Sequence, residues 1–311
     1  MLTLGIDTSN YTTSCALFDS TTGEAAQRRV LLPVPRGGRG LRQSEAVFVH
    51  LKQLPGLLEE LLEGAEPLAA VGVSVRPRDA EGSYMPCFLA GETVARGIAA
   101  AAKIPFKGFS HQAGHLAAAL YGADALELAV QPFLAFHVSG GTTECLLVRP
   151  GKEQPFDIRI LGKTLDLAAG QVIDRVGVML GTPFPAGPAL EKLAGESEAP
   201  PFRPALKGGD CCLSGLENRC AALLEQGTPA AQIAAFCQNA VGETILAMAK
   251  FAAKKRPGLP FVFAGGVMSN AFIRQKIGDR IERAKFAPAG LSADNAVGPA
   301  ILCTVQEVPT C

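Results

Sequence analysis

The sequence predicts an α/β protein made of two duplicated lobes. Three observations carry this. Short apolar strand runs alternate with longer runs of helical period, the pattern of sheets covered by helices. Two hairpin-like segments about 130 residues apart share one grammar, strand, hydroxyl- and glycine-rich turn, strand. The chain has 311 residues, enough for two domains and a large core.

The first hairpin is a strand over 2–6, a polar turn over 7–13 and a second strand over 14–18. Helical spacing follows over 45–62, 88–102 and 111–120, with strands over 70–75 and 106–109. The second hairpin runs 133–138, 139–143 and 144–148. A polar, Pro-rich connection covers 196–210, and the longest periodic run, 232–254, reads as a helix. A buried strand over 260–264 ends in Gly265 and Gly266, and a helix follows over 271–277. A last helix is expected over 296–302. These elements place one lobe over 1–128, with the HxxxH helix, and a second over 129–311, with the glycine turns and the late Asp294.

Composition narrows the class. Twenty-nine basic residues balance 29 acidic ones, so no global charge draws the chain to nucleic acid or an anionic membrane, and an RNA partner needs a local patch. Apolar content of 48% excludes disordered and fibrous classes. Sixteen Phe, three Tyr and no Trp leave the core to Val, Ile, Leu and Ala. Nine scattered Cys without a CxxC pair, no signal-like N-terminus and no membrane-length apolar run fit buried thiols in a reducing cytoplasm. The adjacent Cys211 and Cys212 read as loop or core rather than a redox pair.

His111 and His115 stand four apart on a helix, so both imidazoles can reach one metal ion; the bland alternative is two unrelated surface histidines. No Glu follows His111, so this is not the HExxH of a metalloprotease. Asp294 is a candidate third ligand, and on the residues alone a helix N-cap explains it better. The Ser139, Gly140, Gly141 turn and the hydroxyl-rich turn of Asp7, Thr8 and Ser9 can offer backbone N–H groups to phosphate, or be plain hairpin turns. Gly265 and Gly266 let a ligand approach the backbone. Asp174 sits among apolar residues and needs either a ligand hydroxyl or an ion pair with Arg175 or Arg159. Arg28, Arg29, Arg36, Arg39 and Arg42, with no acid from Arg28 to Arg42, can track a phosphate backbone as a partly flexible loop, though a solvated surface loop accounts for them better. Lys250, Lys254, Lys255 and Arg256 form a weaker basic cluster at a helix end.

Taken in order, GIDTS, HxxxH, VSGG, LGKTLD with AAG, the Asp174-Arg175-Val176 triplet, a P-x-G-P turn, SGL, GGVxxN and ADNA resemble the tRNA N6-adenosine threonylcarbamoyltransferase family, formerly called O-sialoglycoprotein endopeptidases or glycoproteases. The resemblance covers nearly the whole chain. It implies the actin-like, hexokinase-like ATPase fold, with two lobes around a nucleotide cleft. It implies a single divalent metal, iron or zinc, on His111, His115 and Asp294, with an adenine nucleotide or acyl-adenylate as the second cofactor. It further implies a phosphate and substrate loop at His137, Val138, Ser139, Gly140 and Gly141, and adenylate contacts at Asp174, Gly187 and Asn270. The implied reaction transfers threonylcarbamoyl from its adenylate to N6 of adenosine 37 of tRNA, metal-assisted and with no single catalytic side chain assigned. The implied partners are tRNA, a homologous actin-like protein and an ATPase.

Several positions depart from the family pattern. Asn10 and Tyr11 replace a Cys and an acid, Thr142 a His, Gln171 a Glu and Glu217 a Lys, and the loop from Arg76 to Tyr84 is rewritten. Two alternatives to the transferase therefore stand: a nucleotide- and metal-binding paralogue with another client, and the historical glycoprotein metalloprotease.

Overall fold

The computed structural model describes residues 1–9, 11–33, 41–292 and 294–305. In chain order, β1 (Leu2–Asp7), β2 (Thr12–Asp19), β3 (Glu24–Leu31), α1 (Gln43–Leu62), β4 (Ala70–Arg76), α2 (Phe88–Ala102), β5 (Phe106–Ser110) and α3 (His111–Gly122) come first. They are followed by β6 (Phe133–Val138), β7 (Thr143–Pro150), β8 (Phe156–Lys163), α4 (Ala169–Met179), α5 (Gly187–Ala194), β9 (Leu206–Lys207), β10 (Asp210–Cys211), α6 (Ser214–Glu225) and α7 (Ala230–Lys255). The chain ends with β11 (Phe261–Ala264), α8 (Ala271–Gly278), β12 (Ala284–Phe286), α9 (Ala289–Ser292) and α10 (Val297–Val305).

Two compact units result, residues 1–130 with 150–157 and 291–311, and residues 131–149 with 158–290. Each holds one five-stranded mixed sheet, ordered β3-β2-β1-β4-β5 and β12-β11-β6-β7-β8. In the first, β1 pairs antiparallel with β2 and parallel with β4, which is parallel to β5. In the second, β6 pairs antiparallel with β7 and parallel with β11, which is parallel to β12. The two central strands thus have the same neighbours in the same senses, the internal duplication expected from the paired hairpins.

The expected lobe boundary differs at the C-terminus. Asp294 and α10 belong to the first unit, not the second. The reason is packing. α10 lies against β1, β4 and α3. A side chain at Gly298 would meet the Gly114 carbonyl oxygen of α3 at 1.9 Å, so only glycine allows this approach. Thr3 Oγ1 donates to the Ala300 carbonyl at 2.8 Å and Lys107 Nζ to that of Cys303 at 3.0 Å.

The arginine-rich stretch is not one loop. Arg28 and Arg29 lie on β3, paired with Cys15 and Ser14 of β2, and Arg42 precedes α1; Arg36 and Arg39 fall outside the described residues. β3 carries Ala, Gln and Arg on an edge strand with most positions exposed, so its sequence lacks the apolar alternation that marks strands.

Phenylalanine contributes more to the core than its modest share of the sequence suggests. The largest fully buried side chains are Phe88, Phe109, Phe133, Phe136, Phe236 and Phe263. In the second unit Phe136, Phe263 and Phe286 stand in register on β6, β11 and β12, with ring centroids 5.0 and 5.2 Å apart. Fully burying one such ring is worth about 1.5–3 kcal/mol. Among the described residues eight cysteines are free, and all but Cys212 are buried; burial pushes the Cys145 thiol up to about 12.

Candidate metal centre and nucleotide turns

In the first unit β5 runs straight into α3. Ser110 caps the helix, its Oγ accepting from the Ala113 N–H at 3.2 Å. It also donates to Asp79 Oδ2 at 2.6 Å, and Arg76 grips Asp79 Oδ1 through Nε and Nη2 at 2.9 and 2.6 Å. The Gln112 N–H donates to the Pro77 carbonyl at 3.1 Å. The rewritten loop after β4 therefore fastens the N-terminus of the helix that carries both histidines.

Helical spacing puts His111 and His115 on one face. Their Nε2 atoms lie 2.8 Å apart, and Asp294 Oδ1 is 3.4 Å from the first and 3.3 Å from the second. Asp294 is not the helix cap, since Asn295 Oδ1 accepts from the Val297 N–H at 3.0 Å instead. Behind His111, Asp7 Oδ2 meets Nδ1 at 2.8 Å. Asp7 is buried at the end of β1, and its Oδ1 accepts from the N–H of Ser9 at 2.9 Å and from its hydroxyl. Thr8 Oγ1 donates to the Cys87 carbonyl and accepts from the Gly91 N–H. The side chains of Asp7, Thr8 and Ser9, expected along a phosphate turn, are thus turned inward to protein partners.

The electrostatics follow from burial and proximity. Burial alone would raise the Asp7 carboxyl, yet the His111 charge and hydrogen bond beside it hold it below its ordinary value. Burial opposes the charge of His111, but Asp7 and Asp294 outweigh it and raise this group to about 10. Burial and the neighbouring His111 push His115 down. Asp294 stays well below the carboxylate range because hydrogen bonds from both histidines overcome its burial.

The donor set suits a divalent ion. Ligands about 2.0–2.2 Å from one metal, at tetrahedral or octahedral angles, stand about 2.8–3.6 Å apart. The three atoms here are separated by 2.8, 3.4 and 3.3 Å. Two imidazole nitrogens at 2.8 Å must share a proton or a cation. Among the described residues these three form the group able to hold a metal, and Asp7 is the carboxylate behind a histidine that fixes its tautomer.

In the second unit, glycine turns follow the carboxyl ends of two neighbouring parallel strands, the usual ligand position in such sheets. His137 and Val138 end β6, beside Ala264 at the end of β11. Ser139 Oγ accepts from the N–H groups of Gly141 and Thr142 at 3.3 and 3.1 Å. Gly265, at φ 105°, lies so close to Val138 that a side chain would meet its carbonyl oxygen at 2.1 Å. Gly140, Gly141, Gly187 and Gly266 have open space where a side chain would begin. The Gly170 N–H at the start of α4 donates to the Ser139 carbonyl at 3.1 Å, and Asp174 lies one turn further on. Asp174 Oδ1 accepts from the Ala186 N–H at 2.7 Å, while Arg175 pairs with Glu217 at 3.1 Å rather than with Asp174.

Asn270, expected at the substrate, is committed to the protein. It caps α8, accepting from the Ile273 N–H at 2.9 Å, and donates to Gln238 Oε1 at 3.2 Å. What the sequence did not indicate is that Asp7, expected on a phosphate turn, is the partner of His111, and that Arg76, Asp79 and Ser110 fasten α3.

Comparison with known proteins agrees with this architecture. The family model for TsaD, tRNA N6-adenosine threonylcarbamoyltransferase, matches residues 38–300. Enzymes of that name from two organisms are among those 35% identical to this chain. The Granulibacter bethesdensis one is covered over 94% of this chain and 85% of its own, and the Thermus thermophilus one over 79% and 74%. The Thermotoga neapolitana enzyme is 30% identical over 96% of this chain and 91% of its own. Among solved structures, full-length HypF in a phosphate- and nucleotide-bound form aligns with TM-score 0.61 at 12% identity, over 99% of this chain and 56% of that one. A ROK family glucokinase from Streptomyces griseus aligns at 0.55 and 13%, over 97% and 99%. These likenesses establish an actin-like, hexokinase-like ATPase fold. No described helix is long and apolar enough to cross a membrane. The chain belongs to the tRNA N6-adenosine threonylcarbamoyltransferase family.

Proposed function

We propose that this chain transfers a threonylcarbamoyl group from its adenylate to N6 of adenosine 37 in tRNA, with one divalent iron or zinc ion held by His111, His115 and Asp294. The observation that supports this most is the convergence of their three donor atoms within 2.8–3.4 Å. A metal there would polarise and orient the carbamoyl group. His111 and His115 offer their Nε2 atoms, and Asp7 keeps the proton of His111 on Nδ1. The Ser139–Gly141 turn, through the Gly140 N–H, and Gly265–Gly266 would present N–H groups to phosphate oxygens, and Asp174 its second oxygen to a ribose hydroxyl. The amine N6 attacks the carbamoyl carbon, the carbon–oxygen bond to the phosphate breaks, AMP leaves and N6 gives up one proton. The tRNA backbone would run along Arg28 and Arg29 of β3 and Arg42 before α1. The setting would be the cytoplasm, with a homologous actin-like protein and an ATPase as partners.

One observation favours a second reading, a paralogue that binds metal and nucleotide for another client. Glu217 stands where the family motif has Lys, and its carboxylate neutralises Arg175. Mass spectrometry of threonylcarbamoyl-adenosine in tRNA decides between them, in cells depleted of their own family member and supplied with this protein and its partners. Restored modification supports the transferase. Unmodified tRNA, with the protein folded and present, refutes it in favour of the paralogue.

A further inference from the structure

We propose that Phe184 is a stacking platform for a nucleobase of the tRNA loop that carries the target adenosine. This rests on the transferase reading above. Phe184 is 75% exposed, the most exposed of the large apolar side chains described. It nevertheless sits in a loop between α4 and α5 that is anchored on both sides of it. The Thr182 N–H donates to the Gly177 carbonyl at 2.9 Å. The Ala186 N–H donates to Asp174 Oδ1 at 2.7 Å, and Ala186 is fully buried. Gly177 lets the loop press onto α4, since a side chain there would meet Ala186 Cβ at 2.3 Å and Thr182 Oγ1 at 2.8 Å. Pro183 and Pro185 flank the ring and narrow its backbone freedom.

An aromatic ring offered to solvent from a rigid mount is prepared for a planar apolar partner at little entropic cost. The loop is tied through Ala186 to Asp174 on α4, the helix whose first turn bonds the Ser139 carbonyl, so the ring is mounted on the same helix as the turn proposed for the adenylate, which the tRNA base must approach. At 75% exposure the ring is open to solvent, which favours a base splayed from a single-stranded loop over the enclosed adenine of a small nucleotide.

The absence of tryptophan from the chain supplies a direct probe. In Phe184→Trp the new indole is the sole tryptophan, and stacking on a base quenches its fluorescence. Saturating unmodified tRNA that reads ANN codons should quench this emission, while ATP alone should not. Phe184→Ala should weaken tRNA binding by about 5- to 150-fold, the range for one lost base–aromatic stack, with Phe184→Tyr near wild type and ATP affinity unchanged. Wild-type tRNA affinity in Phe184→Ala, or an indole that tRNA leaves unquenched, would overturn the proposal alone. Quenching by ATP alone would assign the ring to the nucleotide and overturn it too. If the wild-type protein with its partners fails to bind tRNA, this proposal and the transferase reading fall together.

Discussion

Asp7 Oδ2 lies 2.8 Å from His111 Nδ1, joining the end of the first strand to a helix that begins more than a hundred residues later. The contact fixes which nitrogen of His111 faces His115 and Asp294. Asp7→Asn keeps an acceptor but removes the charge, and should lower divalent-metal affinity roughly 10- to 100-fold in chelator competition, with the fold intact by circular dichroism. Wild-type affinity would show that Asp7 does not orient His111.

The Ser110 cap should couple stability to the metal centre. Ser110→Ala removes the acceptor for the Ala113 N–H and the donor to Asp79. It should cost about 1 kcal/mol in denaturant unfolding, the usual worth of an N-cap, and should weaken metal binding as well. A stability loss with unchanged metal affinity would mean that the fastening serves the helix alone.

Two glycines in the second unit should behave differently on substitution by alanine. Gly265→Ala forces a side chain onto the Val138 carbonyl at positive φ, so the variant should be destabilised by at least about 1–3 kcal/mol. Gly140→Ala meets open space and should keep wild-type stability, while losing affinity for an adenine nucleotide if its backbone faces phosphate. Calorimetry of unfolding and of nucleotide binding separates the two effects.

Acid should loosen the start of α6 through Asp166. Its carboxylate accepts from Ser214 Oγ at 2.6 Å and from the N–H groups of Leu213 and Leu167 at 2.7 and 2.6 Å. Although burial alone would raise it, these bonds lower the group from 3.8 to about 2. A depressed carboxylate stabilises the fold above its unfolded value and loses that contribution as pH falls from about 4 through 2. The side chain is exposed, so the effect should be roughly 1 kcal/mol or less. Unfolding followed across that range should be flatter for Asp166→Asn; an unchanged slope would show that the bonds carry no linkage.

Much of the fold is legible where apolar period and burial coincide. The helix over 88–102 is read to the residue, and the two hairpins lead directly to the paired sheets. β3 escapes because an edge strand with its residues mostly in water needs no apolar face. At the site, HxxxH is visible because both residues lie on one helix turn apart. Asp294 looks like a cap because local sequence cannot reveal that α10 returns to α3 and that Asn295 takes the capping bond. Asp7 looks like part of a phosphate turn because its partner, His111, is distant in sequence. Asn270 has the reverse history, a residue expected at the substrate from the family resemblance, whose side chain caps α8 and bonds Gln238 of α7.

The most direct test of the account is the metal content of the purified protein. Mass spectrometry of wild type, His111→Ala, His115→Ala and Asp294→Ala, after loading with iron or zinc and desalting, measures it. One ion per wild-type chain is expected, with loss of that ion from both histidine variants while they remain folded. Full metal content in both histidine variants would contradict the site.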